Sequence, residues 1–143
     1  MSTRKDLGEK ITQTMQEVIS SAVLTNERIA RTVGLNVVDF QTYGVLLRNG
    51  DPMTPGQVSH ATELPSSTTT RVLDRLESRG MVQRRPDPGD RRKVWIYALP
   101  LDDEFATKAY AEILRQMDEV QAGFTVAELT TVARFLDAIK NVR

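Results

Sequence analysis

The chain has 143 residues, 19 basic and 19 acidic side chains, no cysteine and a single histidine, His60. This length suits one domain with its own apolar core. The absence of cysteine excludes a disulfide framework and a thiolate metal site, and one histidine argues against both a zinc centre and a serine–histidine triad. No metal and no cofactor is expected. No run is long or apolar enough to cross a bilayer, and the first residues are polar with no secretory core, so a soluble, cytoplasmic protein is expected.

Turn signals divide the chain into six helical stretches and one hairpin. The first helix is predicted from Lys5 to Thr32, with Leu7, Ile11, Met15, Val18, Ala22 and Ile29 at helical spacing, ended by Gly34. The second starts after Asn36, an N-cap residue, with Asp39 placed to suit the positive helix end, and stops at Asn49-Gly50. Thr54-Pro55 announces a short third helix through proline at its first position. The fourth begins at Pro65-Ser66-Ser67 and ends at Gly80, with Thr69, Val72, Leu73 and Leu76 as its buried stripe.

The period then changes from helical to alternating. Residues 81–85 and 93–99 read as strands joined by the turn Pro86-Asp87-Pro88-Gly89-Asp90. A long fifth helix follows Pro100, with Ala106, Ala109, Tyr110, Ile113, Met117 and Val120 along one side. Thr125 and Glu128 are spaced as a capping box for the sixth, which places Leu129, Val132, Leu136 and Ile139 inside. The centre therefore reads as a helix-turn-helix followed by a two-stranded wing. The expected fold is mainly α with a small β wing, a winged helix-turn-helix core between long N- and C-terminal helices.

The net charge is zero, but its distribution is uneven. Residues 71–93 carry eight basic and four acidic side chains, whereas the stretch from residue 98 onward carries five basic and eight acidic. A basic island on a helix-turn-helix and wing points to a nucleic-acid backbone.

Two segments resemble the MarR family of bacterial regulators (multiple antibiotic resistance regulators). One runs from Thr54-Pro55-Gly56-Gln57-Val58 through Leu64-Pro65-Ser66-Ser67-Thr68-Thr69-Thr70-Arg71-Val72-Leu73-Asp74-Arg75-Leu76-Glu77 to Gly80-Met81-Val82; the other is Asp87-Pro88-Gly89-Asp90-Arg91-Arg92. The resemblance implies one domain, with a DNA-binding lobe over about residues 36–99 and dimerisation helices over about 1–33 and 101–143. It implies a homodimer on a pseudo-palindromic double-stranded operator, with the fourth helix in a major groove and the wing near a minor groove. It also implies a repressor released by a small aromatic or phenolic anion. An enzyme is not expected, because the only histidine lacks an evident partner and no glycine-rich phosphate loop appears. Glu63 departs from the glycine common in the family's turn, Ala98-Leu99 from the usual leucine-threonine, and Pro100 and Asp102 from the usual start of the fifth helix.

Ser67, Thr70, Arg71 and Asp74 lie on the face of the fourth helix opposite Val72, Leu73 and Leu76, and Ser66 and Thr68 join Ser67, Thr70 and Arg71 as DNA-binding candidates at its N-terminal end. Hydroxyls and a helix N-terminus suit phosphate, and the arginine fork suits guanine O6 and N7. The plainer reading is that Ser66, Ser67 and Thr68 cap the helix and Arg71 is solvated. Arg91 and Arg92 at the wing tip suit a narrow minor groove, with Asp90 holding an arginine in place. Arg75 joins the DNA-binding set; of Arg75, Arg79, Arg84 and Arg85, some are expected to contact phosphate and some to pair with Asp74 or Glu77. Phe40, Tyr43 and Tyr110 are candidate effector-binding aromatics, against the plainer reading that they are core. His60 reads as a surface residue. The alternative function is a dimeric winged-helix module that binds protein and not DNA.

Overall fold

The computed structural model describes residues 1–101 and 104–142, and for residue 105 the backbone alone. Asp102, one of the departures noted at the start of the fifth helix, lies outside the described residues. The chain divides into two compact units, residues 1–103 and 104–143.

The first unit opens with α1, Arg4–Thr32. A capping box starts it: Asp6 N donates to Thr3 Oγ1 (3.1 Å) and Thr3 N to Asp6 Oδ2 (2.8 Å). The same backbone donor holds the Asp6 carboxyl below its ordinary value. Along this helix only Ile29 and Ala30 are buried, while Leu7, Ile11, Val18, Ile19, Val23 and Leu24 stand exposed. Helix α2 (Val37–Asn49) is capped by Asn36, whose Oδ1 accepts from Asp39 N at 2.8 Å. Helix α3 (Pro55–Thr62) has proline in its first turn and a reciprocal box between Thr54 and Gln57. Its C-cap, Glu63, has φ 60°, and it is the one non-glycine residue with positive φ among those described. The departure from glycine thus falls where the backbone turns left-handed, which an L side chain resists.

Helix α4 (Ser66–Ser78) follows. Its stripe of Thr69, Val72, Leu73 and Leu76 is buried as the periodicity predicts. Gly80, at φ 70°, turns the chain into β1 (Val82–Pro86), which pairs antiparallel with β2 (Val94–Ala98), Arg84 opposite Ile96. A third short edge completes the sheet: Met53 bridges Ile96, donating to its carbonyl at 3.1 Å and accepting from its N–H at 2.7 Å. This bridge anchors the wing's base to the loop before α3, and Ile96 is fully buried between them. Tyr43, Val58, Val72, Leu73, Leu76 and Val82 are buried as well, so three helices and the wing contribute to the core.

The second unit contains α5 (Glu104–Ala122) and α6 (Val126–Ile139), the latter started by the Thr125–Glu128 capping box. The expectation that Val132 and Leu136 lie inside is corrected here. No described residue of α6 is buried, and Val132 and Leu136 are exposed alongside Ile113, Met117 and Val120 of α5. The helical period is right, but in a single chain the apolar stripe has nothing to bury it.

Candidate nucleic-acid interface

Helix α4 lies on α2 and α3 through its apolar stripe, so its opposite face is presented outward. Ser59 Oγ donates to Thr69 Oγ1 at 2.7 Å, joining the two helices of the helix-turn-helix by a hydroxyl contact. The N-cap of α4 is Pro65, and no side chain makes a capping hydrogen bond. Ser66, Ser67 and Thr68 therefore do not cap the helix, which corrects the plainer reading of these hydroxyls. Ser66 and Ser67 are exposed and Thr68 is half-buried beside the first-turn N–H groups. A helix start of this kind retains its partial positive charge and its capacity to donate to an anion. Thr70 is exposed and back-bonds to Ser66 O at 3.0 Å.

The basic island separates into arginines with partners and arginines without. Arg75 grips Asp39 with both prongs, Nε to Oδ2 at 2.7 Å and a terminal nitrogen to Oδ1 at 2.8 Å. Asp39 is buried, and the pairing lifts the already high pKa of the Arg75 guanidinium. The task expected of Asp39, complementing the helix end, is thus joined by a second one 36 residues away. For Arg75 the geometry gives a fold-holding partner on α2, and its pairing is with Asp39 and not with Asp74 or Glu77. Arg84 does pair as expected, with Asp74 (2.7 Å) and Glu77 (3.2 Å). Arg85 bonds Gln83 and lies 4.4 Å over the Tyr97 ring. Arg79 packs over Gly34, where a Cβ would come within 2.8 Å of its guanidinium.

Arg71 and Arg91 remain: both side chains are exposed and neither has a hydrogen bond, ion pair or ring contact among the described residues. Arg92 is 96% exposed in its side chain, with Nε 3.8 Å from Asp90 Oδ1, and its backbone N–H donates to the same oxygen at 2.9 Å. Asp90 thus holds Arg92 loosely, in the manner expected.

Sequence reasoning missed Asp87. Its Oδ2 accepts from Gly89 N (3.0 Å) and Asp90 N (2.9 Å), while Oδ1 accepts from Trp95 Nε1 (2.8 Å). These donors, the indole first, hold its carboxyl below its ordinary value. Asp-Pro-Gly is itself a signal for an aspartate that bonds its own turn; the bond to Trp95 across the hairpin has no local signal. Lys93 covers the same indole at 4.7 Å from the ring centroid.

The aromatic candidates separate. Phe40 and Tyr43 are core side chains, 4% and 2% exposed, and Tyr43 Oη donates to Leu99 O. The plainer reading describes both, since neither ring has a face open to a ligand. Tyr110 is partly exposed on α5. His60 is exposed, as expected.

This geometry is an uncapped, outward helix start with an unpaired arginine, beside a basic wing tip. The MarR family profile matches residues 33–93, the segment that contains all of it. Over that segment the chain is similar to the MarR family. It is 27% identical to the uncharacterized HTH-type transcriptional regulator YcgE of Bacillus subtilis (strain 168), over 94% of this chain and 87% of that protein. It is 28% identical to the HTH-type transcriptional repressor NicR of Pseudomonas putida, over 98% and 90%. The fold matches that of Streptococcus pneumoniae FabT in complex with DNA, with a TM-score of 0.65, 18% identity, and coverage of 92% and 94%. By these relationships the protein is a DNA-binding transcription regulator and not an enzyme. No helix among its described residues is long and apolar enough to cross a membrane.

Proposed function

We propose that this MarR-like regulator is a cytoplasmic homodimeric repressor that binds a pseudo-palindromic operator. The observation that carries the reading is the exposed start of α4, where Ser66, Ser67 and Thr70 flank an Arg71 with no partner among the described residues. In the DNA complex α4 enters the major groove, Arg71 reads a base edge or a phosphate, and Arg91 and Arg92 follow the adjacent minor groove. Thr68 lines the entry, and Asp90 restrains Arg92. Arg75 serves from behind, keeping α4 on α2. The name of NicR as a repressor and the DNA complex of FabT support this reading by relationship.

Dimerisation accounts for the apolar faces. Ile11 and Val18 on α1, Met117 and Val120 on α5, and Val132 and Leu136 on α6 are exposed in the single chain, and patches of this kind mark association surfaces. Residues 1–33 and 101–143 form that interface, and residues 36–99 form the DNA-binding lobe. Two lobes read both half-sites when their recognition helices stand about one DNA turn apart, roughly 35 Å. A small aromatic or phenolic anion that prefers another spacing releases the operator; one that binds both arrangements equally shifts nothing.

The test is selection of bound sites from random duplexes, followed by titration of salt and then of salicylate into the selected complex. A two-fold symmetric site, an affinity that falls steeply with salt, and release by the anion are expected. Failure to select any site, or sedimentation as a folded monomer at micromolar concentration, overturns the reading.

A further inference from the structure

We infer that Arg84 is a positioning residue for DNA recognition, which locks the wing to the recognition helix so that base and wing contacts are made in one register. The inference rests on the placement of α4 in the groove described above.

Arg84 lies in β1, yet its strongest contacts are with α4. One terminal nitrogen meets Asp74 Oδ1 at 2.7 Å and the other meets Glu77 Oε1 at 3.2 Å. Its backbone N–H donates to Glu77 Oε2 at 3.0 Å. One helix carboxylate thus holds both the main chain and the side chain of the same strand residue, and a second carboxylate one turn earlier holds the remaining prong. Two hydrogen bonds from Glu77 and an ion pair from Asp74 restrain both the main chain and the side chain of one strand residue. The Arg84 side chain is only 27% exposed, against 96% for Arg92 at the wing tip, so it is not presented to a phosphate in the same way.

The bond to the backbone gives this contact a second consequence. β1 is bonded to β2 along one side alone, so its outer edge has N–H groups with no strand to receive them. Glu77 receives the one at residue 84. The helix therefore replaces a third strand at that point and sets the inclination of the hairpin. The turn at Asp87 shapes the tip, but the tip's direction relative to Arg71 depends on how β1 leaves α4.

Charge supplies a separate reason for the arrangement. Asp74 shares the outward face of α4 with Arg71 and Thr70, where a bare carboxylate would repel the phosphates. Arg84 neutralises it without occupying the groove. A lysine at 84 would retain the charge but lose the planar fork that reaches two carboxylates at once. That difference separates bracing from neutralisation.

The experiment compares wild type with Arg84→Lys on the selected operator and on a scrambled duplex of equal length, over a salt series, with thermal midpoints recorded alongside. The salt slope and the affinity for scrambled DNA are expected to hold, because the charge is kept. The affinity for the operator is expected to fall about tenfold, the size of losing one correct base pair, so that the ratio of specific to non-specific binding falls by the same factor. An unchanged ratio overturns the inference. So does an equal loss on both duplexes with a salt slope reduced by about one, because that identifies Arg84 as a phosphate contact. If Arg84→Lys does not fold, Glu77→Asp, which keeps the charge but draws the carboxylate back from Arg84, carries the same test from an exposed helix position, with the same expected fall and the same refuting result. Should wild type itself show no preference for any duplex, the groove placement fails, which is distinguishable from a selective wild type whose variants remain equally selective.

Discussion

Removing Arg75 should damage this protein more than removing Asp39, although the two share one ion pair. The Asp39 side chain is 2% exposed and the Arg75 side chain 47%. Arg75→Ala leaves a carboxylate inside the core with its cation gone, and stripping one partner from a buried pair costs about 3–5 kcal/mol. Asp39 sits in the first turn of α2, where the helix end offsets about 0.3–1 kcal/mol of that. A net loss of about 2–4 kcal/mol follows from these two terms. Asp39→Ala instead leaves a half-exposed guanidinium that can turn to water. Its loss should be about 1.5–3 kcal/mol, the worth of a charge-assisted hydrogen bond, without the further cost of a stranded buried charge. The double variant should therefore be more stable than Arg75→Ala by itself, because it removes the stranded charge. Urea unfolding at pH 7 and fixed protein concentration measures all three, the fixed concentration being needed if association contributes. Equal losses from both single variants, or strictly additive losses in the double, would refute the reasoning.

Arg71→Ala should relax sequence preference, costing about 1–3 kcal/mol at one base pair, whereas Arg92→Ala should weaken all duplexes alike and lower the salt slope by about one; binding measured on a panel of single-substitution operators separates the two, and indistinguishable profiles would count against the assignment. Trp95 is the sole tryptophan, so its emission reports on the wing. The folded-state value of Asp87 lies below the ordinary 3.8, so its contribution to the hairpin is complete above that value and is lost as pH falls through the lowered one. An emission change with a midpoint below 3.8 is expected, and Asp87→Asn should abolish it; a midpoint above 3.8 would show that the indole bond is not made. At the left-handed turn, Glu63→Val should lower stability by about 1–3 kcal/mol because a β-branched side chain resists positive φ, while Glu63→Gly should not; thermal unfolding of both variants checks this.

Much of the local architecture can be read from residues close together in the chain. Asn36, Thr54 and Thr125 each bond an N–H three residues on, the reach of a side chain within one turn, so all three helix starts are legible. Alternation of Val94, Trp95, Ile96 and Tyr97 marks the wing strand for the same reason. The family resemblance is equally legible, because the helix-turn-helix and wing-tip segments are each contiguous. Tertiary structure decided which cations are available to a partner. Arg71, Arg75 and Arg84 look alike as residue types on a basic island. Only the approach of α2 to α4 gives Arg75 to Asp39 across 36 residues, and only the departure angle of β1 gives Arg84 to Asp74 and Glu77. Burial of the aromatics was decided in the same way: helical spacing puts Phe40 and Tyr43 on an inward face but leaves open whether that face meets a cavity or other side chains. A charge or a ring has no fixed partner until distant segments meet, because the free energy that selects the partner depends on desolvation, and desolvation exists only in the packed fold.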